Sequence, residues 1–297
     1  MAESSQGWRL SRKVGRGNDG GFPQPNKLMT KEHVENLAAL DVTPIAWDPP
    51  GLASGAQLRP LARDPASGGF TGLVDLPPGY DSGPGLNCAV EMRLFVIDGE
   101  LQMGENRLGP GGFCYHPAGS GQGRWRSPEG ARAFVVFLEG PEFQPDRGSS
   151  APDSIPSLDS FAMDWHNPLD ASDPSQDFRP GIFVKVLHVD PETRASTHLA
   201  GLMPGWYAEG METHPVYEEN YCLQGDVLIG EVGDQSGYTM VVGSYMCRPA
   251  GVVHGPLASK NGNVNLCFTH GLLGIDYSEN PRSMDLIRKH LRNHPWT

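Results

Sequence analysis

The chain has 297 residues, enough for one large or two ordinary domains, each with its own core. Its 23 Lys and Arg against 35 Asp and Glu give a formal net charge of −12, a poor electrostatic partner for nucleic acid or an anionic membrane surface. The 38 Gly and 27 Pro show no period, which argues for many turns between short strands and against long helices or a collagen-like repeat.

Residues 1–41 read as a polar, Gly-rich arm followed by a short amphipathic helix over KEHVENLAAL at 31–40, with Thr30 as its N-cap. The opening MAESSQGWRLSRKVGRG has no apolar run typical of a secretory signal. No stretch approaches the roughly 18 consecutive apolar residues of a membrane span, so a cytoplasmic setting is expected. From residue 42 the pattern changes to short apolar runs broken by Pro, Gly and Asp, and this first strand-rich region extends to residue 145. A Pro-, Ser- and Asp-rich stretch makes 146–180 an interdomain linker. A second strand-rich region follows at 181–275. The closing 276–297 reads as a helix, with Asn280 as N-cap, Pro281 in its first turn, and Arg288, Lys289 and Arg292 near its C-terminus where the dipole favours cations.

The two strand-rich regions repeat one another. LPPGY at 76–80 matches LMPGW at 202–206, and FVIDGELQMGE at 95–105 matches YCLQGDVLIGE at 221–231, both at an offset of 126 residues. An insertion, GDQSGYT, then lengthens the second copy as a hairpin tip would. Beyond it GGFCYHPAG at 111–119 matches GSYMCRPAG at 243–251 at an offset of 132. Short, evenly spaced strands in two copies argue for a sandwich or barrel in each. The cysteines, Cys88, Cys114, Cys222, Cys247 and Cys267, are odd in number and form no CxxC pair, so reduced buried thiols are expected rather than disulfides or a structural zinc site.

Chemistry-bearing residues concentrate in the second copy. In GMETHPVYEENYCLQG at 210–225, Glu212 and His214 are two apart and share a strand face. A turn at Pro215–Tyr217 returns Glu218 toward the same pocket, and GSYMCRPAGVVH places His254 after a Pro-x-Gly turn. Imidazole and carboxylate together suit iron, manganese, nickel or zinc, and four protein ligands leave a position open for water or substrate.

These two segments resemble the paired signatures of the cupin superfamily. The first reads Glu212-x-His214-x3-Glu218-x6-Gly225, with Glu in place of the leading His, and the second reads Gly243-x5-Pro249-x-Gly251-x2-His254. The resemblance covers roughly residues 65–140 and 193–272. It implies an all-β protein of two antiparallel, jelly-roll-type cupin barrels with short N- and C-terminal helices. It also implies one divalent metal per chain held by Glu212, His214, Glu218 and His254, with Fe(II) or Mn(II) ahead of Zn(II) or Ni(II). Carried back by the repeat offsets, those ligands fall on Leu86, Cys88, Met92 and Gln122, so the first barrel is expected to be metal-free and structural. Candidates for orienting a substrate or moving a proton are His198, Tyr221, Tyr245, Arg248 and His270. The expected partners are a small polar organic substrate and a second copy of the chain.

Three functions fit this reading. One is an oxygen-using metalloenzyme such as a dioxygenase. Another is a non-redox hydrolase, lyase or isomerase similar to ureidoglycine aminohydrolase, from which the chain departs by offering Glu218 and His254. The last is a metal-containing binding or sensor protein.

Overall fold

The computed structural model describes residues 31–146, 151–167, 181–231, 236–279 and 283–292. Antiparallel strands dominate them, and Ser283–Leu291 is the one α-helix among the described residues, too short to cross a membrane. The described residues divide into two compact units. Residues 31–164 with Tyr245–Cys247 form the N-terminal unit, and residues 165–244 with 248–292 form the C-terminal unit.

In the N-terminal unit the main sheet runs, in spatial order, Ile155–Asp159, Gly112–His116, Met92–Gly99, Ala131–Glu139, Gly68–Leu76, Gln57–Arg63 and Ile45–Ala46. Strand alternation selects the core face. Met92, Leu94 and Val96 join the apolar core with Ala133, Val135 and Phe137 opposite them, while Arg93 and Phe95 between them take the other face. Two smaller sheets complete the unit. In one, Leu86–Cys88 lies between Gly121–Gly123 and Phe143–Pro145; in the other, Trp125–Ser127 lies between Tyr80–Asp81 and Leu101–Met103.

In the C-terminal unit Glu218–Gly230, Asn263–Thr269, Ser196–Leu202 and Ile182–Val189 are successive neighbours. The long strand Glu218–Gly230 also pairs with Gly237–Val241, the strand that begins within the inserted residues. Helix Ser283–Leu291 packs Leu286, Ile287 and Leu291 against Leu228 and Ala258.

The sequence repeat returns as matching backbone hydrogen bonds. Gly79 N–H donates to the Ser127 carbonyl and Gly205 N–H to that of Ser259, both at 2.9 Å. Gly111 N–H donates to Val96 and Gly243 N–H to Cys222, again both at 2.9 Å, and Gly119 N–H donates to Cys88 as Gly251 N–H does to His214, both at 2.8 Å. Gly99 and Gly225 hold φ values of +74° and +73°, and an added Cβ there would run into the carbonyl oxygen of Gly130 or Gly262 respectively. One turn therefore demands glycine twice, for the same steric reason.

Three expectations need correction or bounds. Residues 31–40 do not form a helix: Val34–Ala38 is a strand and Ala39–Asp41 a single 3-10 turn. The apolar spacing over so few residues satisfies either element. The stretch read as linker contains strand Ile155–Asp159, which pairs with Gly112–His116 and covers that sheet edge. The arm at 1–28, Thr30, Asn280 and Pro281 lie outside the described residues. All five cysteines are free and buried.

Candidate metal centre

The two motifs meet through the backbone before their side chains do. Glu212 N–H donates to the His254 carbonyl at 2.7 Å, and His254 N–H donates back to the Glu212 carbonyl at 3.0 Å. Strand Met211–Thr213, which carries Glu212, pairs on its other side with Asp276–Ser278. The Pro249-x-Gly251 turn is tied to His214 by the Gly251 N–H, and Gly251 takes a φ of +83°. Glu218 opens the long strand Glu218–Gly230. The backbone thus brings Glu212, His214 and His254 together, with Glu218 at the start of the neighbouring strand.

His254 Nε2 lies 3.2 Å from Glu212 Oε1, His214 Nε2 lies 3.9 Å from the same oxygen, and His214 Nε2 lies 3.5 Å from Glu218 Oε2. Ligand atoms of Glu212, His214 and His254 all lie within 4.8 Å of one another. Both imidazoles are presented in the posture of ligands. His214 Nδ1–H donates to the Gly274 carbonyl at 2.9 Å and His254 Nδ1–H to the Val252 carbonyl at 3.3 Å, which leaves each Nε2 directed at the carboxylates. His214 Nε2 and Glu218 Oε2 are buried without a hydrogen-bond partner. A divalent cation satisfies those orphaned atoms and balances two carboxylates, so the donor set fits a metal.

The electrostatics agree. Burial opposes charge on His214, but Glu218 and Glu212 outweigh it and raise its pKa above the ordinary imidazole value. Burial likewise penalises the charge on Glu218, yet His214, His254 and Arg248 hold its carboxyl below the usual range. In the absence of a cation, the carboxylates draw a proton onto the imidazole that would otherwise bind one.

Sheet register sorts the remaining candidates. Glu218, Thr269 and Ser196 stand opposite one another, and the next row on that face is Asn220, Cys267 and His198. His198 therefore shares the face of Glu218; burial pushes its pKa down to about 4, and Ser196 Oγ lies 3.2 Å from its Nδ1. Arg248 is buried, its charge acts on Glu218 and His214, and its Nη2 donates to Tyr238 Oη.

Tyr221, Tyr245 and His270 do not belong with the cluster. Tyr221 is opposite Leu266 and, one residue out of step with Asn220, points to the other face. His270 Nε2 lies 2.8 Å from Glu219 Oε1, and its ring packs 4.3 Å from that of Phe268, both residues of that other face. Tyr245 groups with the N-terminal unit, its ring centroid 6.2 Å from that of Phe134. Sequence reasoning missed Asn220, which hydrogen-bonds Glu218 and was readable from its two-residue spacing. It also missed Tyr238 and the Gly274 carbonyl, which no local signal marks.

At the corresponding positions of the N-terminal unit the side chains are Leu86, Cys88, Met92 and Gln122, all buried, and the first three belong to its apolar core. Burial pushes the Cys88 thiol up to about 11, so it remains protonated and a poor ligand.

A family profile described as "Domain of unknown function (DUF4437)" matches residues 35–273. No curated protein matches the chain by sequence. Among solved structures, a proposed dioxygenase from Nostoc punctiforme is similar with a TM-score of 0.72 at 22% identity, covering 84% of this chain and 87% of its own. An oxalate decarboxylase variant from Bacillus subtilis has a TM-score of 0.54 at 12% identity, covering 92% and 87%. A salicylate 1,2-dioxygenase from Pseudaminobacter salicylatoxidans has a TM-score of 0.51 at 13% identity, covering 70% and 75%. At such identities the likeness is one of fold, and it supports the all-β cupin-type fold that the two motifs imply.

Proposed function

The chain belongs to the DUF4437 family, and from that footing we propose that it is a bicupin metalloenzyme whose chemistry resides in the C-terminal barrel. The observation that carries the reading is the donor set of Glu212, His214, Glu218 and His254, with two orphaned ligand atoms buried at its centre. These four residues would hold one divalent metal. Bound there, the ion would supply Lewis acidity and, if it is iron, redox chemistry with oxygen.

The surrounding residues act on the substrate and on the ligands. Arg248 provides a fixed, buried positive charge beside Glu218 and suits a small organic substrate bearing a carboxylate or an enolate. Tyr238 and Asn220 hold Arg248 and Glu218 in place. His198, neutral at pH 7, is positioned to accept a proton or a hydrogen bond.

A dioxygenase with Fe(II) or Mn(II) is the first reading. The pair of carboxylates among the ligands favours the second, a non-redox hydrolase, lyase or isomerase using Mn, Zn or Ni as Lewis acid. Elemental analysis of the full chain, followed by oxygen-uptake assays against a panel of small carboxylic acids and enols, tests both. Iron or manganese with substrate-dependent oxygen uptake supports the first reading, and turnover without oxygen uptake supports the second. A protein that binds a metal and turns over nothing is a sensor or binding protein, and one that binds no metal sinks the proposal.

A further inference from the structure

The interior of the N-terminal unit is not uniformly apolar. His116, Gln122 and Trp125 are 4%, 3% and 0% exposed, and His116 Nδ1 and Nε2, Gln122 Oε1 and Nε2, and Trp125 Nε1 are all buried without a hydrogen-bond partner. Register shows where they point. His116 stands directly opposite Met92, two residues beyond Cys114, and both of those are core residues. Gln122 is buried at a bulge, between Gly121 opposite Asn87 and Gly123 opposite Leu86, beside the strand that carries Leu86 and Cys88. Trp125 stands opposite Met103 in the same core, its ring 5.7 Å from that of Phe143.

The repeat says what these positions are. At the offset of 132, His116 corresponds to Arg248 and Gln122 to His254. In the C-terminal unit those two act on Glu218, whose counterpart is Met92, the residue that His116 faces. The orphaned groups thus surround the position of the lost metal centre. A buried polar group left unpaired costs about 1–3 kcal/mol, and native interiors satisfy such groups with protein, water or ligand.

We propose that the interior of the N-terminal unit binds a small uncharged molecule, with an apolar body and both a hydrogen-bond donor and an acceptor, held by His116, Gln122 and Trp125. The chemistry of the site selects that class. Gln122 offers a donor and an acceptor, Trp125 a donor, and His116 one of each, since burial pushes its pKa down to about 4 and keeps it neutral. Leu86, Cys88, Met92 and Phe143 supply the apolar wall. The core side chains grouped with Met92 are apolar, an environment that favours a neutral ligand over an ion. A phenol or a carboxamide fits this description, and the site is independent of the metal chemistry proposed for the other unit.

The test is calorimetric titration of the full-length, metal-loaded protein with phenol, benzamide and, as charged control, benzoate. Saturable binding of phenol or benzamide is expected. Gln122→Leu or His116→Leu should weaken it by about tenfold or more, the effect of one lost hydrogen bond with its partner left buried. Unchanged metal content in both variants shows that they are folded. Glu218→Ala should leave the affinity for the neutral probe as it is, which separates this site from the metal centre. Absence of binding by both neutral probes overturns the proposal. So does binding that survives both Leu variants, binding that disappears in Glu218→Ala, benzoate binding as tight as benzamide, or a crystal structure in which only water bridges the three side chains.

Discussion

Position by position, the N-terminal unit places Leu86, Cys88, Met92 and Gln122 where the C-terminal unit places Glu212, His214, Glu218 and His254. Around those positions the backbones agree closely, down to the bond from Gly119 to Cys88 in one unit and from Gly251 to His214 in the other. The comparison separates what builds the scaffold from what fills it. Turn glycines and the Pro-x-Gly corner are kept in both units because a side chain at Gly99 or Gly225 would strike a carbonyl oxygen. The side chains at those four positions contribute nothing to those turns, so one copy can carry acids and imidazoles there and the other mostly apolar groups on a matching backbone. An apolar core stabilises the unit that carries it, whereas carboxylates and imidazoles packed together repay their burial only when a cation joins them.

The largest test of this contrast is His254→Ala. Metal content measured by elemental analysis should fall from about one ion per chain, the value one four-donor set implies, to near zero. Activity should fall with it. Equal metal content in variant and parent would erase the distinction between the units. Replacing the matched glycines probes the opposite claim, that the scaffolds are equivalent. Gly99→Ala and Gly225→Ala should each destabilise the protein by roughly 3 kcal/mol in chemical denaturation, from a strained positive φ and a carbonyl clash. A loss in one variant only would show that the turns are not the same.

Acid should act on both units through a buried histidine in each. His116 in the N-terminal unit and His198 in the C-terminal unit both have pKa values pushed down to about 4 by burial. An unfolded imidazole takes a proton near pH 6.5, while the folded one waits until about 4. The unfolded state therefore binds more protons across that window, and the stability present above it is lost as pH falls from about 6.5 to 4. Each residue should account for roughly 3 kcal/mol of that loss, and His116→Leu should flatten the fall measured by thermal melts at successive pH values. The smallest expected effect is that of Cys88→Ser. With the thiol protonated and flanked by Leu86 and Met92, the change should leave metal content and activity at parent values. A drop in either would assign chemistry to the wrong unit.

What the sequence determined by itself was the repeat, the turn glycines and the identity of the clustered donors. Those rest on local rules: a positive φ needs glycine, and residues two apart on a strand share a face. Asn220 was readable in the same way from Glu218. Tyr221 was equally readable as facing away, since it is one residue out of step. Register decided the rest. His270 looked like a pocket residue until pairing placed it against Glu219 on the opposite face. Residues 31–40 carry an apolar spacing that suits a helix or a strand, and the fold selected a strand over Val34–Ala38. Tyr238 reaches Arg248 from within the inserted segment, and His214 is oriented by the carbonyl of Gly274, 60 residues away. Such partners are set by which strands lie side by side, and strand pairing is a long-range choice that no local stretch of chain encodes alone.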